Sequence, residues 1–396
     1  MKVLLLENIH SEAVRALTSR GYEVETVPGA LAEDDLIRAL EGVDMLGIRS
    51  RTYVTRRVLE NAPQLSAIGA FCIGTNQIDL DAASEHAVAV FNAPYSNTRS
   101  VVEMVMAEIM VLARRLTDRN RDMHAGIWDK SATGSHEVRG RTLGIVGYGN
   151  IGSQLSIVAE AMGMRVYFYD LLDKLALGNA KRVGSLDELF EVAETISLHV
   201  DGRPGNTGLI GAAEFAKMRP RTIFLNLCRG SVVDLDALRD ALETGQIAGA
   251  AVDVFPKEPR SKGEEFVSPL RGLSNVILTP HIGGSTAEAQ EDIGHFVAGK
   301  LADYAELGLT SMSVNFPEVS AGQIGARRVV HLHRNVPGVM ARLNSVLASH
   351  NMNIGSQSLA TIGDYGYAIT DVSGDGFTNL LAELEGQDET IRVRVL

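Results

Sequence analysis

The chain has 396 residues, of which 45% are apolar and 22% charged, and its formal net charge is -12. That length supports two or three domains with substantial cores, and an acidic balance without a long basic run argues against nucleic acid or an anionic membrane as a partner. Two cysteines, Cys72 and Cys228, with no CxxC pair, exclude a disulfide framework and fit a reducing compartment.

The N-terminal "MKVLLLENIH" holds an apolar run of only four residues, Val3 to Leu6. It is too short for a signal-peptide core or a membrane span and reads as the first β-strand of a cytoplasmic protein. The helical "EAVRALTSRG" follows, and "MLGIRS", "SAIGAF" and "VAVFNA" are further short apolar runs. This is the rhythm of a small parallel α/β domain. Asn97 to Leu116 then reads as one long helix whose Met104, Met106 and Met110 pack against protein rather than line a cofactor site. A second series starts at Thr142, with strand candidates "TLGIVG", "MRVYFYD", "TISLHV", "TIFLNL", "GAAVDVF" and "NVILTP". Runs this continuously apolar suit parallel strands buried on both faces. Helical "IGSQLSIVAEAMG" and "LDALRDALETG" fall between them.

The expected α/β architecture is therefore a Rossmann-type doubly wound domain (97–284) inserted into a flavodoxin-like substrate domain (1–96 and 285–316), which the helix from Ala287 would close. Ser313 to Arg328 breaks the periodicity with Pro and Gly and reads as a linker. The remaining elements run βαββαβ, the order of a ferredoxin-like domain over 325–396.

"GIVGYGNIGSQ" places Gly147, Gly149 and Gly152 in a GxGxxG that leaves a strand and opens a helix, and Asp170 ends the next strand. That context is the dinucleotide fingerprint: a tight turn, close backbone approach to a pyrophosphate, and close helix–strand packing. Asp170 can accept from ribose hydroxyls and would repel a 2′-phosphate, which favours NAD. Arg229, Glu258 and His281 each follow a later strand candidate of this series, at the edge where ligands of open α/β sheets bind. Beside a nicotinamide, His281 would take a hydroxyl proton, Glu258 would hold the imidazole, and Arg229 would clamp a carboxylate or polarise a carbonyl oxygen. Each alone also reads as an ordinary surface charge, and Cys228 reads as an inert buried thiol.

With "GYGNIG", "CRGSVVD", "AVDVFPKEP" and "TPHIGGST" on the page, the chain resembles the D-isomer-specific 2-hydroxyacid dehydrogenase family over essentially its whole length. The resemblance implies Arg229, Glu258 and His281 as catalytic residues. It implies NAD contacts at Asn150, Ile151, Asp170, Leu227, Cys228, Arg229, Asp253, His281, Ile282, Gly283 and Gly284. "GIRSRT" carries Arg49, Ser50 and Arg51, whose guanidinium and hydroxyl groups suit a phosphorylated 2-hydroxy acid. The resemblance adds Asn97 and Lys130 to the substrate residues and makes Trp128 an oligomer contact. Where relatives carry a basic residue before a Gly-Ala pair, this chain has Pro28-Gly29-Ala30.

The C-terminal part resembles an ACT domain on "HLHRNVPGV" and "NMNIGSQ". That implies an effector, L-serine, bound at the interface of two ACT-like domains by His333, Asn335 and Asn353, on segments that the βαββαβ order can bring together, in a homotetramer. Gly325-Ala326 stands where relatives have a Gly-Gly pair, which implies a stiffer hinge. His331 and His333 alternate along a strand, but without a completing ligand cluster no metal is expected. Two alternatives stay open: a reductase for glyoxylate, hydroxypyruvate or 2-oxoglutarate, and a non-catalytic dinucleotide-sensing protein.

Overall fold

The computed structural model describes residues 1–259, 263–322, 327–374, 376–377 and 379–396, so the Gly325-Ala326 pair lies outside them. The described chain forms two units, Met1–Ser96 with Gln290–Leu396, and Asn97–Ala289. The first unit opens with five strands: β1 (Lys2–Leu6), β2 (Glu23–Val27), β3 (Met45–Ile48), β4 (Ala67–Ala70) and β5 (Ala89–Asn92). They pair in parallel in the order β2-β1-β3-β4-β5, which is the flavodoxin-like order. Every residue of β3 and β4 is buried, as expected for strands covered on both faces. β2 reads "EVETV" and no residue in it is fully buried. It forms one edge of the sheet, and its half-solvated, charge-rich pattern leaves no apolar run in the sequence. The strand order reverses between β1 and β3, so the ligand crevice of this sheet lies where Glu7 and Arg49 follow their strands.

The second unit holds β6 (Thr142–Val146), β7 (Arg165–Tyr169), β8 (Lys181–Arg182), β9 (Thr195–Leu198), β10 (Thr222–Asn226), β11 (Ile247–Val252) and β12 (Val276–Leu278). Their order is β12-β11-β10-β9-β6-β7-β8, a doubly wound Rossmann sheet whose switch point lies between β6 and β9. The helix expected over Asn97–Leu116 ends at Arg114. Arg115 turns left-handed, and a separate helix runs Leu116–His124. No glycine marks that break, so periodicity alone ran through it.

The C-terminal strands β13 (Arg327–Arg334), β14 (Asn353–Ile362), β15 (Tyr365–Ser373) and β16 (Thr390–Val395) form an antiparallel sheet in the order β14-β15-β13-β16. Helices Val339–Ser349 and Leu380–Glu385 supply the two α elements of an ACT, ferredoxin-like module. This sheet belongs to the first unit's core: Val330, Leu332, Tyr367 and Ile369 share one buried cluster with Val297, Leu301, Tyr304 and Phe316.

The described part of the expected linker is not a loose tether. Phe316 and Val319 are buried in that same cluster, and the Asn315 side chain accepts from Val90 N and donates to Val88 O. Three arginines of the C-terminal sheet finish backbone carbonyls elsewhere in the unit. Arg392 donates to Leu65 O, Ala87 O and Pro63 O, and Arg394 donates to Tyr304 O while lying 4.1 Å from the Tyr304 ring centre. Arg328, with no exposed surface, donates to Leu307 O, to Gly322 O and to both oxygens of Asp371 at 2.6 and 3.0 Å. Hydrogen bonds from Arg328 hold the Asp371 carboxyl below its usual range against the opposing effect of burial.

Arg328→Ala should therefore lower stability by about 3 kcal/mol or more, because it strands a largely buried carboxylate and two carbonyls. A denaturant midpoint series reads this directly. Asp371 titrates lower folded than unfolded, so its contribution is complete above roughly pH 4 and fades as pH falls through its depressed value. The gap between wild type and variant should narrow there.

Candidate active site

β6 runs into Gly147, whose φ is +91° and whose missing side chain would otherwise lie 2.5 Å from His199 O. Gly149 faces open space, room for a pyrophosphate to approach the backbone. Gly152 packs where any side chain would strike Gly147 O. The helix Asn150–Ala161 begins after Gly149 with no side-chain cap, which leaves its first N–H groups for an anion. Asn150 is exposed and Ile151 half-buried at that end. Asp170 accepts from Tyr148 N at 2.7 Å and from Leu172 N at 2.8 Å. The carboxylate expected to face the ribose thus also fastens the glycine turn. These residues fit NAD.

Leu227, Cys228 and Arg229 follow β10. Cys228 is buried, its thiol is pushed up mainly by burial, and it bonds to Asn226 Oδ1, as suits an inert thiol. Arg229 is half-buried and donates to Cys228 O at 2.6 Å. A side chain on Gly230 would collide with the Phe255 backbone, so the turn carrying Arg229 lies directly against the segment that leads to Glu258.

Asp253, 1% exposed, organises the loop that carries His281. Its carboxylate accepts from Thr279 Oγ1 at 2.6 Å and from the N–H groups of Ile282 and Gly283 at 2.8 Å, while its own carbonyl accepts from His281 N at 2.8 Å. His281 has φ +55°, a left-handed conformation that a non-glycine residue keeps only when its surroundings impose it. Gly283 brings its backbone to the Asp253 carboxylate, and a side chain on Gly284 would overlap the Asn97 amide. Asn97 Oδ1 is buried with no hydrogen-bond partner among the described residues.

His281 Nδ1 lies 3.1 and 3.0 Å from the two Glu258 oxygens, and Glu258 also accepts from Phe255 N. Donation from Nδ1 to a carboxylate leaves Nε2 as the acceptor. The hydrogen bond to Glu258 raises the His281 pKa above the usual histidine value; burial opposes this, and the charges of Glu258 and Asp253 support it. Burial pushes Glu258 up, but His281, the Phe255 N–H and Arg229 together hold it below the usual carboxylate value.

Two further titratable groups of this unit carried little sequence signal. Glu108 sits in the apolar helix Thr98–Arg114; burial first and the Asp253 charge second push its carboxyl up to about 8. His199, after β9, pairs Nε2 with Ser197 Oγ at 2.8 Å, and burial lowers it to about 3.

The remaining expected residues lie on other segments. Arg49 is half-buried, and Ser50 and Arg51 are exposed, at the switch point of the first sheet. Lys130 is exposed, 5.7 Å from the ring centre of an equally exposed Trp128. His333 is buried with Nδ1 bonded to Arg334 O, and among the described residues its Nε2 has no hydrogen-bond partner. Asn335 bonds to Gly363 O at the turn after β14, whereas Asn353 opens β14 opposite Ser373. Nine residue steps along a strand separate those ends by about 30 Å. The βαββαβ order therefore does not bring Asn335 and Asn353 together within one chain. His331 bonds Thr390 Oγ1, and burial lowers its pKa to about 4. Among the described residues no group of three or more His, Cys, Asp or Glu could hold a metal, and no helix is long and apolar enough to cross a membrane.

Comparison with known proteins identifies the family. Residues 106–283 match the D-isomer specific 2-hydroxyacid dehydrogenase, NAD binding domain, and residues 329–392 match an AHAS small subunit-like ACT domain. The solved structure of D-2-hydroxyisocaproate dehydrogenase superposes with a TM-score of 0.73 at 25% identity, over 80% of this chain and all of that one. The chain belongs to the D-isomer-specific 2-hydroxyacid dehydrogenase family and is an NAD-dependent dehydrogenase. Within that family its full-length relatives are D-3-phosphoglycerate dehydrogenases. The one from Haemophilus influenzae is 51% identical over all of this chain and 97% of its own length, and the one from Escherichia coli K12 is 47% identical over the same shares. D-3-phosphoglycerate dehydrogenase 1 of Saccharomyces cerevisiae is 44% identical over all of this chain and 87% of its own.

Glu258→Gln removes the charge that raises His281. The acid limb of the kcat–pH profile for alcohol oxidation, which rises as His281 deprotonates, should therefore move to lower pH. An unmoved limb would contradict the pairing. Asp170→Ala should narrow the preference for NAD over NADP, because the group that would repel a 2′-phosphate is gone. It should also raise KM for both cofactors, because the Tyr148 anchor is lost with it. Initial rates with each cofactor test both.

Proposed function

We propose that this dehydrogenase oxidises D-3-phosphoglycerate to 3-phosphohydroxypyruvate, the first step toward L-serine, and that L-serine restrains it through the ACT module. The observation that carries the chemistry is the His281–Glu258 pair on a backbone fixed by Asp253. NAD, when bound, supplies the acceptor for the hydride that leaves the carbinol carbon. His281 Nε2 takes the hydroxyl proton, so a carbonyl forms and charge is balanced. The positive imidazolium that results is stabilised by Glu258 at Nδ1. Arg229 holds the substrate carboxylate and polarises the developing carbonyl. Arg49, Ser50, Arg51, Asn97 and Lys130 serve the anionic ends of the substrate. Near-complete coverage of the D-3-phosphoglycerate dehydrogenase relatives supports the choice of substrate, and the paired arginines of the first sheet fit a phosphorylated acid.

For the effector, His333 and Asn335 would come from one chain and Asn353 from a second copy, because one chain holds the two asparagines at opposite ends of β14. This requires at least a dimer and agrees with the proposed tetramer. Serine must bind the restrained state better than the active one, since equal affinity would shift nothing.

The test is a steady-state panel of D-3-phosphoglycerate, D-lactate, glycerate and 2-hydroxyglutarate. The phosphorylated acid should have the highest kcat/KM; parity with the others would overturn the assignment. His281→Ala should lose about 10²-fold or more in kcat while NAD binding is retained. Asn335→Ala should weaken serine inhibition with substrate KM unchanged. An intact enzyme that ignores serine would refute the feedback role.

A further inference from the structure

The loop after β3 is held by a residue that neither the catalytic chemistry nor the cofactor uses. Glu7 follows β1, is 2% exposed, and has φ +62°, with Asn8 also left-handed at +53°. Its carboxylate accepts from Arg49 N at 3.2 Å, Arg51 N at 3.0 Å and Thr52 N at 2.8 Å. Arg51 Nε lies 3.7 Å from the same group, with the arginine side chain 52% exposed. From the other side, Gln77 Nε2 donates to Arg49 O at 2.7 Å.

Converging backbone N–H groups in a turn form a concavity that binds anions. Here the chain fills that concavity with its own carboxylate, at the crevice position of a flavodoxin-like sheet. The left-handed backbone at Glu7 costs on the order of 1–3 kcal/mol and persists only because the surroundings impose it.

We infer that Glu7 is the positioning residue of the substrate-anion loop: it occupies the loop's backbone N–H groups and so leaves the Arg49 and Arg51 guanidinium groups as the seat for phosphate or carboxylate. This rests on the reading that these arginines bind the substrate's anionic ends. With the N–H groups taken, an incoming anion cannot sink into the turn. It stays at guanidinium distance, where the planar forks match three-oxygen and two-oxygen anions. Glu7 therefore sets both the direction of the arginines and the depth at which the anion rests.

Glu7→Gln keeps the shape but turns an NH2 toward at least one of the loop's donors. In the full-length enzyme, KM for D-3-phosphoglycerate should rise about tenfold, the scale of one lost charge-assisted hydrogen bond, while kcat and KM for NAD stay near wild type. In Glu7→Ala, added formate should fill the emptied concavity and lower KM again. An unchanged KM in Glu7→Gln, or a parallel fall in kcat and NAD affinity, overturns the inference. If Glu7→Gln does not fold, Glu7→Asp, which keeps the charge one methylene short, must show the same rise confined to substrate KM; no rise refutes the role. Arg51→Ala separates the two levels. If it leaves substrate KM unchanged, the anion-loop reading fails; if it raises KM and Glu7→Gln does not, only the role of Glu7 fails.

Discussion

The loop that carries His281 depends on one buried carboxylate. Asp253 ties Thr279, Ile282 and Gly283 through its side chain and His281 through its carbonyl. A left-handed histidine costs on the order of 1–3 kcal/mol. Hydrogen bonds to a charged acceptor contribute about 1.5–3 kcal/mol each, so several of them offset that strain. The result is an imidazole whose backbone cannot relax away from Glu258. The glycines at 283 and 284 suit close contacts, one with Asp253 and the other with Asn97.

The charges around that loop are apportioned by burial. Glu108 carries a second carboxyl toward Asp253, yet burial and Asp253 itself push it up to about 8, so near neutral pH it is mostly a neutral acid. Its neutrality spares the loop a competing negative charge. His199 stays neutral by burial. His281, more exposed and paired with Glu258, is instead raised above the ordinary histidine value.

Much of this was legible in the sequence for physical reasons. Parallel strands buried on both faces leave continuous apolar runs, so β3, β4, β6 and β10 announce themselves. The glycine turn is a local motif whose geometry follows from residue type, whereas the left-handed backbone of His281 is imposed by Asp253. The polar edge strand β2, the two-residue β8 and the left-handed Arg115 leave no such trace. The 313–322 stretch has the composition of a connection, but Phe316 and Val319 bury themselves in the core, which only tertiary packing decides. Strand order alone says nothing about which end of β14 an asparagine occupies, and a lone Glu after a strand gives no hint that it will collect N–H donors 42 to 45 residues away.

The ACT module is built into the first unit rather than appended to it. Arg328, Arg392 and Arg394 finish carbonyls from the segments around Pro63, Ala87, Tyr304 and Leu307, so removing the module would uncover the aromatic cluster of Tyr304 and Phe316. An effector acting on this sheet therefore acts on a body that includes the loop carrying Arg49 and Arg51. The claim on which the whole account turns is that Glu258 and Asp253 make His281 a stronger base than an ordinary histidine. Proton NMR titration of the resting enzyme, with the His281 signal assigned by its loss in His281→Gln, measures this directly. The expected midpoint lies above the ordinary value of about 6.5; a midpoint at or below it would contradict the pairing of His281 with Glu258.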